Sequence, residues 1–275
     1  EHIDLKINEG EIFGFIGPNG AGKSTTIRIL MNLIFPTGGS AMIMGMDVIS
    51  QTKKIKQKVG YIPSDANAWS SMDADEFLNY CARFYGIRNG NSRIAELSDL
   101  LELDRKRKIS DLSMGNRKKV SIIQSLIHSP VLLIMDEPTT GLDPLMKSLF
   151  FNLLRSENGK GMTIFFSSHT LSEVQMFCKR VAIIKEGRII KTEEIDTLRK
   201  KQLKKIFIES GEKITTSDLN ISGTQDLHIG PGNIVTFMYS GDIRELISFL
   251  SGKKINNLMI EEPSLDEIFM HYYKT

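Results

Sequence analysis

The sequence predicts an α/β fold with a mostly parallel sheet, an antiparallel β part, an inserted helical subdomain and a small C-terminal α/β appendage. Three observations predict it. A short apolar run, Ile12 to Ile16, passes through a glycine-rich turn into an amphipathic helical pattern. A second apolar run, Val131 to Met135, stops at two acids, Asp136 and Glu137. Between them, residues 73–127 take on a mostly helical character.

The elements follow in order. Ile12-Phe-Gly-Phe-Ile16 reads as a buried strand because it is continuously apolar and bounded by glycines. The next helix shows Ile27, Leu30, Met31 and Ile34 at the spacing of one helical face, with Pro36, Gly38 and Gly39 expected to end it. Residues 41–62 read as strand, loop and strand, finishing at Val59-Gly-Tyr-Ile62. Asp73 and Ser113 are candidate N-caps. Val131 to Met135 reads as a central parallel strand. Met146, Leu149, Phe150 and Leu153 form another helical stripe, and Met162 to Phe166 the next strand. Val181 to Ile184 and Arg188 to Ile190 flank Glu186-Gly187 as a hairpin. The basic residues Arg199, Lys200, Lys201, Lys204 and Lys205 read as a solvated helix end or linker. Beyond them, strands are expected at 206–209, 226–229, 234–239 and 255–260, and helices at 242–250 and 264–273. The expected domains are therefore residues 1–204, with a helical subdomain at about 65–127, and residues 205–275.

Composition narrows the function. A net charge of +2, with basic residues scattered along the chain, gives no nucleic-acid footprint. Cys81 and Cys178 are the only cysteines, too few and too far apart for a disulfide framework or a zinc site, so a reducing cytoplasm is expected. No apolar run approaches the ~18 residues that span a bilayer. Residues 1–16 carry Glu1, Asp4, Lys6, Glu9 and Glu11, which is not a signal-peptide pattern. Service to a membrane would need a partner.

Gly17-Pro18-Asn19-Gly20-Ala21-Gly22-Lys23-Ser24 fits G-x-x-x-x-G-K-S, with Thr25 next on the helix. Glycines let backbone N–H groups turn inward around phosphate oxygens. Lys23 supplies a point charge to the β- and γ-phosphates, and Ser24 a hydroxyl to Mg²⁺. The helix that follows points its positive end at the phosphates. A glycine-rich turn with a chance lysine is the alternative, and the placement between strand and helix argues against it. At the end of the second apolar run, Asp136 fits a magnesium carboxylate, direct or through water. Glu137 fits an acid beside the γ-phosphate that polarises the attacking water. Many buried strands end in an acid; position downstream of a phosphate loop is what makes this pair specific. The core is therefore expected to be of the P-loop NTPase type, with ATP and Mg²⁺ as ligands.

Leu112-Ser113-Met114-Gly115-Asn116 stands between these motifs, and Thr140-Gly141-Leu142-Asp143 and Ser167-Ser168-His169 follow them. With these in view, the sequence resembles the nucleotide-binding subunit of ABC transporters, over about residues 3 to 195 and in the family's order and spacing. Five ordered motifs are far more specific than a phosphate loop alone. The resemblance implies that Ser113 and Gly115 contact the γ-phosphate of ATP held by the other subunit of a head-to-tail dimer. It implies that His169 is a γ-phosphate contact and that Asp143 crosses the dimer interface. Taken alone, Ser113 is a helix cap, Asp143 a turn residue before Pro144, and His169 a polar loop residue.

The pattern is broken in three places. Where the family carries a magnesium-ligating glutamine, this chain has Ser64 followed by Asp65. Either residue could replace that contact, or it could be absent. Met114 and Asn116 stand where the family more often has glycine and glutamine. The aromatic that stacks on adenine in the family lies on an upstream strand, and its absence here reads as a missing N-terminal segment.

The functional expectation is an ATP-hydrolysing transporter motor working with a separate membrane-spanning permease and a second cassette. It would be peripheral on the inner face of the membrane. The tail Glu262-Pro263-Ser264-Leu265-Asp266-Glu267-Ile268-Phe269 resembles single-cassette bacterial exporter subunits. The alternatives are a soluble ABC-type ATPase not coupled to transport and a non-hydrolysing nucleotide-dependent regulator. Residues 65–112 are expected to pass motion to the permease; Leu78, Tyr80, Phe84 and Tyr85 are candidates for its apolar groove, although some of them must be core.

Overall fold

A computed structural model describes residues 3–64, 71–87, 91–200, 204–212 and 221–261. The chain divides into two compact units, residues 1–193 and 194–275, so the division falls ahead of the basic segment. Lys204 and Lys205 are themselves strand residues, paired with Tyr239 and Met238, and not linker.

In the first unit six strands lie in the order β4 (Val59–Ile62), β5 (Leu132–Asp136), β6 (Thr163–Ser168), β1 (Ile12–Ile16), β7 (Arg180–Lys185) and β8 (Arg188–Glu194). The pairs β4–β5, β5–β6, β6–β1 and β1–β7 are parallel. A parallel sheet is covered on both faces, which is why β1 and β6 are buried at every residue. A separate hairpin of β2 (Met42–Ile43) and β3 (Met46–Asp47) supplies the antiparallel part.

Helix α1 (Lys23–Leu30) stops earlier than its apolar stripe suggests. Asn32 takes a left-handed φ of 49°. Its N–H donates to Ile29 O and the N–H of Leu33 to Arg28 O, both at distances below 3 Å (2.9 and 2.8 Å). This Schellman closure satisfies the last carbonyls before the chain reaches Pro36. Ile34, counted as core by spacing, is 38% exposed. The short helix α2 (Thr52–Lys56) was not anticipated; it buries only Ile55, too little to show a period.

The helical segment contains α3 (Ala74–Phe84), α4 (Asn91–Leu100) and α5 (Met114–Leu126). Asp73 caps α3 in a reciprocal capping box with Glu76, and Ser113 caps α5 by accepting from Asn116 N. Of the four residues expected to form an apolar groove, Leu78 is core at 0% exposure, and Tyr85 stacks on His128. Tyr80 and Phe84 are exposed. The spacing of α3 shows that both of its faces are partly apolar but not which one is buried. Helices α6 (Pro144–Gly159) and α7 (Leu171–Phe177) complete the unit. Among the described residues, no helix is long and apolar enough to cross a membrane.

The second unit begins with α8 (Ile195–Lys200) and holds an antiparallel sheet in the order β10 (Thr224–Gly230), β11 (Ile234–Tyr239), β9 (Lys204–Ser210) and β12 (Ile255–Glu261). Ile206, Ile208, Val235, Phe237 and Tyr239 alternate inward and pack with Leu246 and Leu250 of α9 (Ile243–Leu250). The expected helix at 264–273 and the tail from Glu262 to Phe269 lie outside the described residues, as does Asp65.

Candidate functional site

The site is built at the carboxyl ends of β1, β5 and β6, where loops leave a parallel sheet. β1 runs straight into the loop Gly17–Gly22 and then α1. Gly17 is buried, and a Cβ there would collide with the Ile184 carbonyl oxygen. Only glycine permits this close approach. Pro18, Asn19 and Gly20 are exposed and Ala21 is buried, which anchors the loop at its far end. The N-cap Gly22 makes no side-chain cap bond. The first-turn N–H groups of α1, at Ser24 and Thr25, therefore stand ready for an anion.

Lys23 folds back over this loop and is 4% exposed. Its Nζ donates to Gly17 O at 2.7 Å and Pro18 O at 3.1 Å, and lies 3.3 Å from Glu137 Oε1. Glu137 Oε2 in turn lies 3.1 Å from His169 Nδ1. Lysine, carboxylate and imidazole thus form one chain across three loops. His169 is half exposed at its outer end.

Asp136 is fully buried at the end of β5. Its Oδ1 accepts from Ser167 Oγ at 2.8 Å. Its Oδ2 is buried with no hydrogen-bond partner. A buried carboxylate oxygen left open is costly unless a cation or water meets it. A hard divalent ion fits this open carboxylate oxygen.

Ser64 lies just beyond β4, whose register with β5 puts it at the same sheet edge. The contact found for Ser64 is through its carbonyl, which accepts from Lys118 Nζ at 3.1 Å; Pro63 O accepts from the same ammonium at 2.8 Å. Ser113 and Asp143 are exposed and occupied as caps, Asp143 Oδ1 accepting from Met146 N at 2.9 Å. The start of α5 packs on the loop before Asp143. A Cβ on Gly115 would meet Gly141 O at 3.1 Å, and Met114 lies over Gly141, whose φ is 82°. Ser113, Gly115 and Asp143 thus gather with one another, while Lys23, Asp136, Glu137 and His169 gather around the loop.

Ser167 is a site residue that the sequence reading gave no role. It pairs with Asp136 in the β5–β6 register, bonds its carboxylate, and accepts from Glu137 N at both its carbonyl and its hydroxyl, each at 3.2 Å. Only the register brings it there. The one local signal was its place beside His169.

Residues 1–140 match the family described as ABC transporter. An uncharacterised ABC transporter ATP-binding protein of Synechocystis is 30% identical, across 98% of this chain and 76% of its own length. The bacitracin transport ATP-binding protein of Bacillus licheniformis is 37% identical, across 74% of this chain and 67% of its own. Among solved structures, a dimeric ATP-binding cassette in a post-hydrolysis state, bound to ADP and Pi, superposes with a TM-score of 0.65. It is 26% identical over 71% of this chain and 90% of that one.

Proposed function

This chain belongs to the ABC transporter family of ATP-binding proteins, and from that premise we propose that it is the ATP-hydrolysing motor subunit of a membrane exporter. Its permease would be a separate polypeptide, and two cassettes would close head to tail on ATP. The observation that carries this reading is the chain Lys23–Glu137–His169 at the mouth of the phosphate loop. The dimeric post-hydrolysis relative supports pairing, and the bacitracin transport relative supports a transport role.

The residues divide the work by their chemistry. The N–H groups of Gly17–Ser24 and the Lys23 ammonium bind the triphosphate oxygens. Ser24 and Asp136, with Ser64 as a further candidate, would hold magnesium, which would supply charge neutralisation at the phosphates. Glu137 orients a water and takes up its proton at a carboxylate oxygen. His169 keeps that carboxylate in place and offers its imidazole to the γ-phosphate. Ser113 and Gly115 bind the γ-phosphate held by the partner subunit, and Asp143 lies at the interface. Closure of the dimer therefore depends on the γ-phosphate, a two-state element biased by one charged group. Exposed Tyr80 and Phe84 on α3 offer the permease an apolar contact. Residues 1–193 carry the ATPase work, and residues 194–275 act as an accessory domain.

The test is inorganic phosphate release from Mg-ATP by the purified chain, with Glu137→Gln as control, together with ATP-dependent dimerisation read by size-exclusion chromatography. No release above the control, at any chain concentration, sinks the motor reading. Co-purification with ribosomes and not with a polytopic membrane protein sinks the transporter reading.

A further inference from the structure

We infer that Glu173 is a positioning residue of the ATPase site: its buried carboxylate locks together the loops that carry Glu137, Asp143 and His169. The inference rests on the ATPase reading above for its kinetic consequence but not for its geometry.

Glu173 lies in the first turn of α7 and is 6% exposed. A buried carboxylate is costly unless its oxygens are met by donors. Here each oxygen is met by donors from a different part of the fold. Oε2 accepts from Thr139 Oγ1 at 2.7 Å, in the loop that follows Glu137. Oε2 also accepts from Ser168 Oγ at 3.2 Å, beside His169. Oε1 pairs with Lys147 Nζ at 2.8 Å, on the first turns of the helix capped by Asp143. Thr139 and Ser168 are themselves buried. Ser168 Oγ further accepts from Thr170 N at 2.9 Å, which fixes the turn after His169.

None of these groups reaches Lys23 or the loop at Gly17–Gly22, which Lys23 holds through its own bonds to Gly17 and Pro18. Removing the Glu173 carboxylate should therefore disturb the placement of Glu137 and His169 and leave phosphate-loop binding intact. A displacement of ~1 Å at a reacting group costs on the order of 10²-fold in rate. This predicts a defect in kcat with little change in KM.

The experiment uses the full chain with Glu173→Ala, Glu173→Gln, and Glu173→Gln combined with Lys147→Gln. Expected for Glu173→Ala is a fall in kcat of roughly tenfold or more with KM for Mg-ATP within about twofold of the parent. Glu173→Gln should also lose turnover, because its amide NH₂ would face the Lys147 ammonium. The double variant should regain most of it, because the repulsion is gone and the amide oxygen still accepts from Thr139 and Ser168. Amide hydrogen exchange supplies a readout independent of catalysis. In Glu173→Ala the amides of Thr140, Leu142 and Thr170 should exchange roughly tenfold faster, with the Gly17–Ser24 amides unchanged. A folded Glu173→Ala chain with parental turnover overturns the inference. So does a rise in KM that matches the fall in kcat, or exchange unchanged at those amides. A parent chain that releases no phosphate defeats the ATPase reading instead, and the exchange data then decide the geometry alone.

Discussion

Glu137 and His169 meet across two adjacent parallel strands, His169 Nδ1 standing 3.1 Å from Glu137 Oε2. Glu137 reaches this position with a φ of 47°, in the left-handed region that a glutamate enters at a cost of about 1–2 kcal/mol. Two bonds to Ser167 hold its N–H there. The backbone distortion aims the carboxylate at Lys23 on one side and at His169 on the other.

Replacing Glu137 by glutamine keeps the shape and removes the proton acceptor. Glu137→Gln is expected to cut phosphate release by at least ~10²-fold, the scale of general-base catalysis. ATP binding should survive, because Gly17–Ser24 and Lys23 are untouched. An ATP-bound dimer should then accumulate in size-exclusion chromatography. Residual turnover close to that of the parent would show that another group takes the proton.

Ser167→Ala would strand two partners at once. Asp136 Oδ1 would lose the Ser167 hydroxyl, and Glu137 N–H would keep the carbonyl of the same residue. A buried polar group left without its partner costs about 1–3 kcal/mol. Urea unfolding of the Ser167→Ala chain should show that loss, and turnover should fall with it. Parental stability would mean that a water replaces the hydroxyl.

These two predictions mark the limit of what the sequence could show. The phosphate loop, the acids after Val131–Met135 and the Ser113 cap were legible because their chemistry is local and carried by consecutive residues. Ser167 and Glu173 were not, because they act across strand register and through α7, and neither is set by spacing along the chain. The strands of the parallel sheet were legible as apolar runs. The stop of α1 was misjudged because Asn32 closes it through a left-handed turn ahead of Pro36, a signal weaker in sequence than proline. Which of Leu78, Tyr80, Phe84 and Tyr85 are core was not legible, because periodicity cannot say which of two apolar faces of α3 meets the core.

Met114 offers a test of the departure from the family's usual glycine. Its side chain lies over Gly141 and links the start of α5 to the loop that leads to Asp143. Met114→Gly removes this contact and adds a flexible residue at the first position of the helix. The backbone term alone amounts to about 0.5–1 kcal/mol. A stability loss of about that size or somewhat more is expected by urea unfolding. ATP binding to the isolated chain should be unchanged, since Lys23 and its loop are elsewhere. A gain in stability would show that the methionine is strained over Gly141.

His128 should make the fold sensitive to mild acid. Its ring stacks on Tyr85 with centroids 3.9 Å apart, tying α3 to the segment after α5. Its Nε2 lies 3.3 Å from Val59 O, so Nε2 carries the proton and Nδ1 is bare; Nδ1 is buried without a partner. Burial holds the imidazole below its usual value of 6.5, and the bond to Val59 O opposes this only in part. The folded chain therefore binds fewer protons at His128 than the unfolded chain does. Its stabilising contribution is complete above about pH 6.5 and is lost as pH falls through the unfolded value towards the depressed folded one. One proton sets a limiting slope of about 1.4 kcal/mol per pH unit. His128→Phe keeps a ring on Tyr85 and removes the titration. Urea unfolding of parent and variant between pH 7.5 and 5.5 should show the parent losing stability faster. Parallel curves would mean that His128 takes up a proton equally well in the folded chain, and that the Tyr85 stack tolerates its charge.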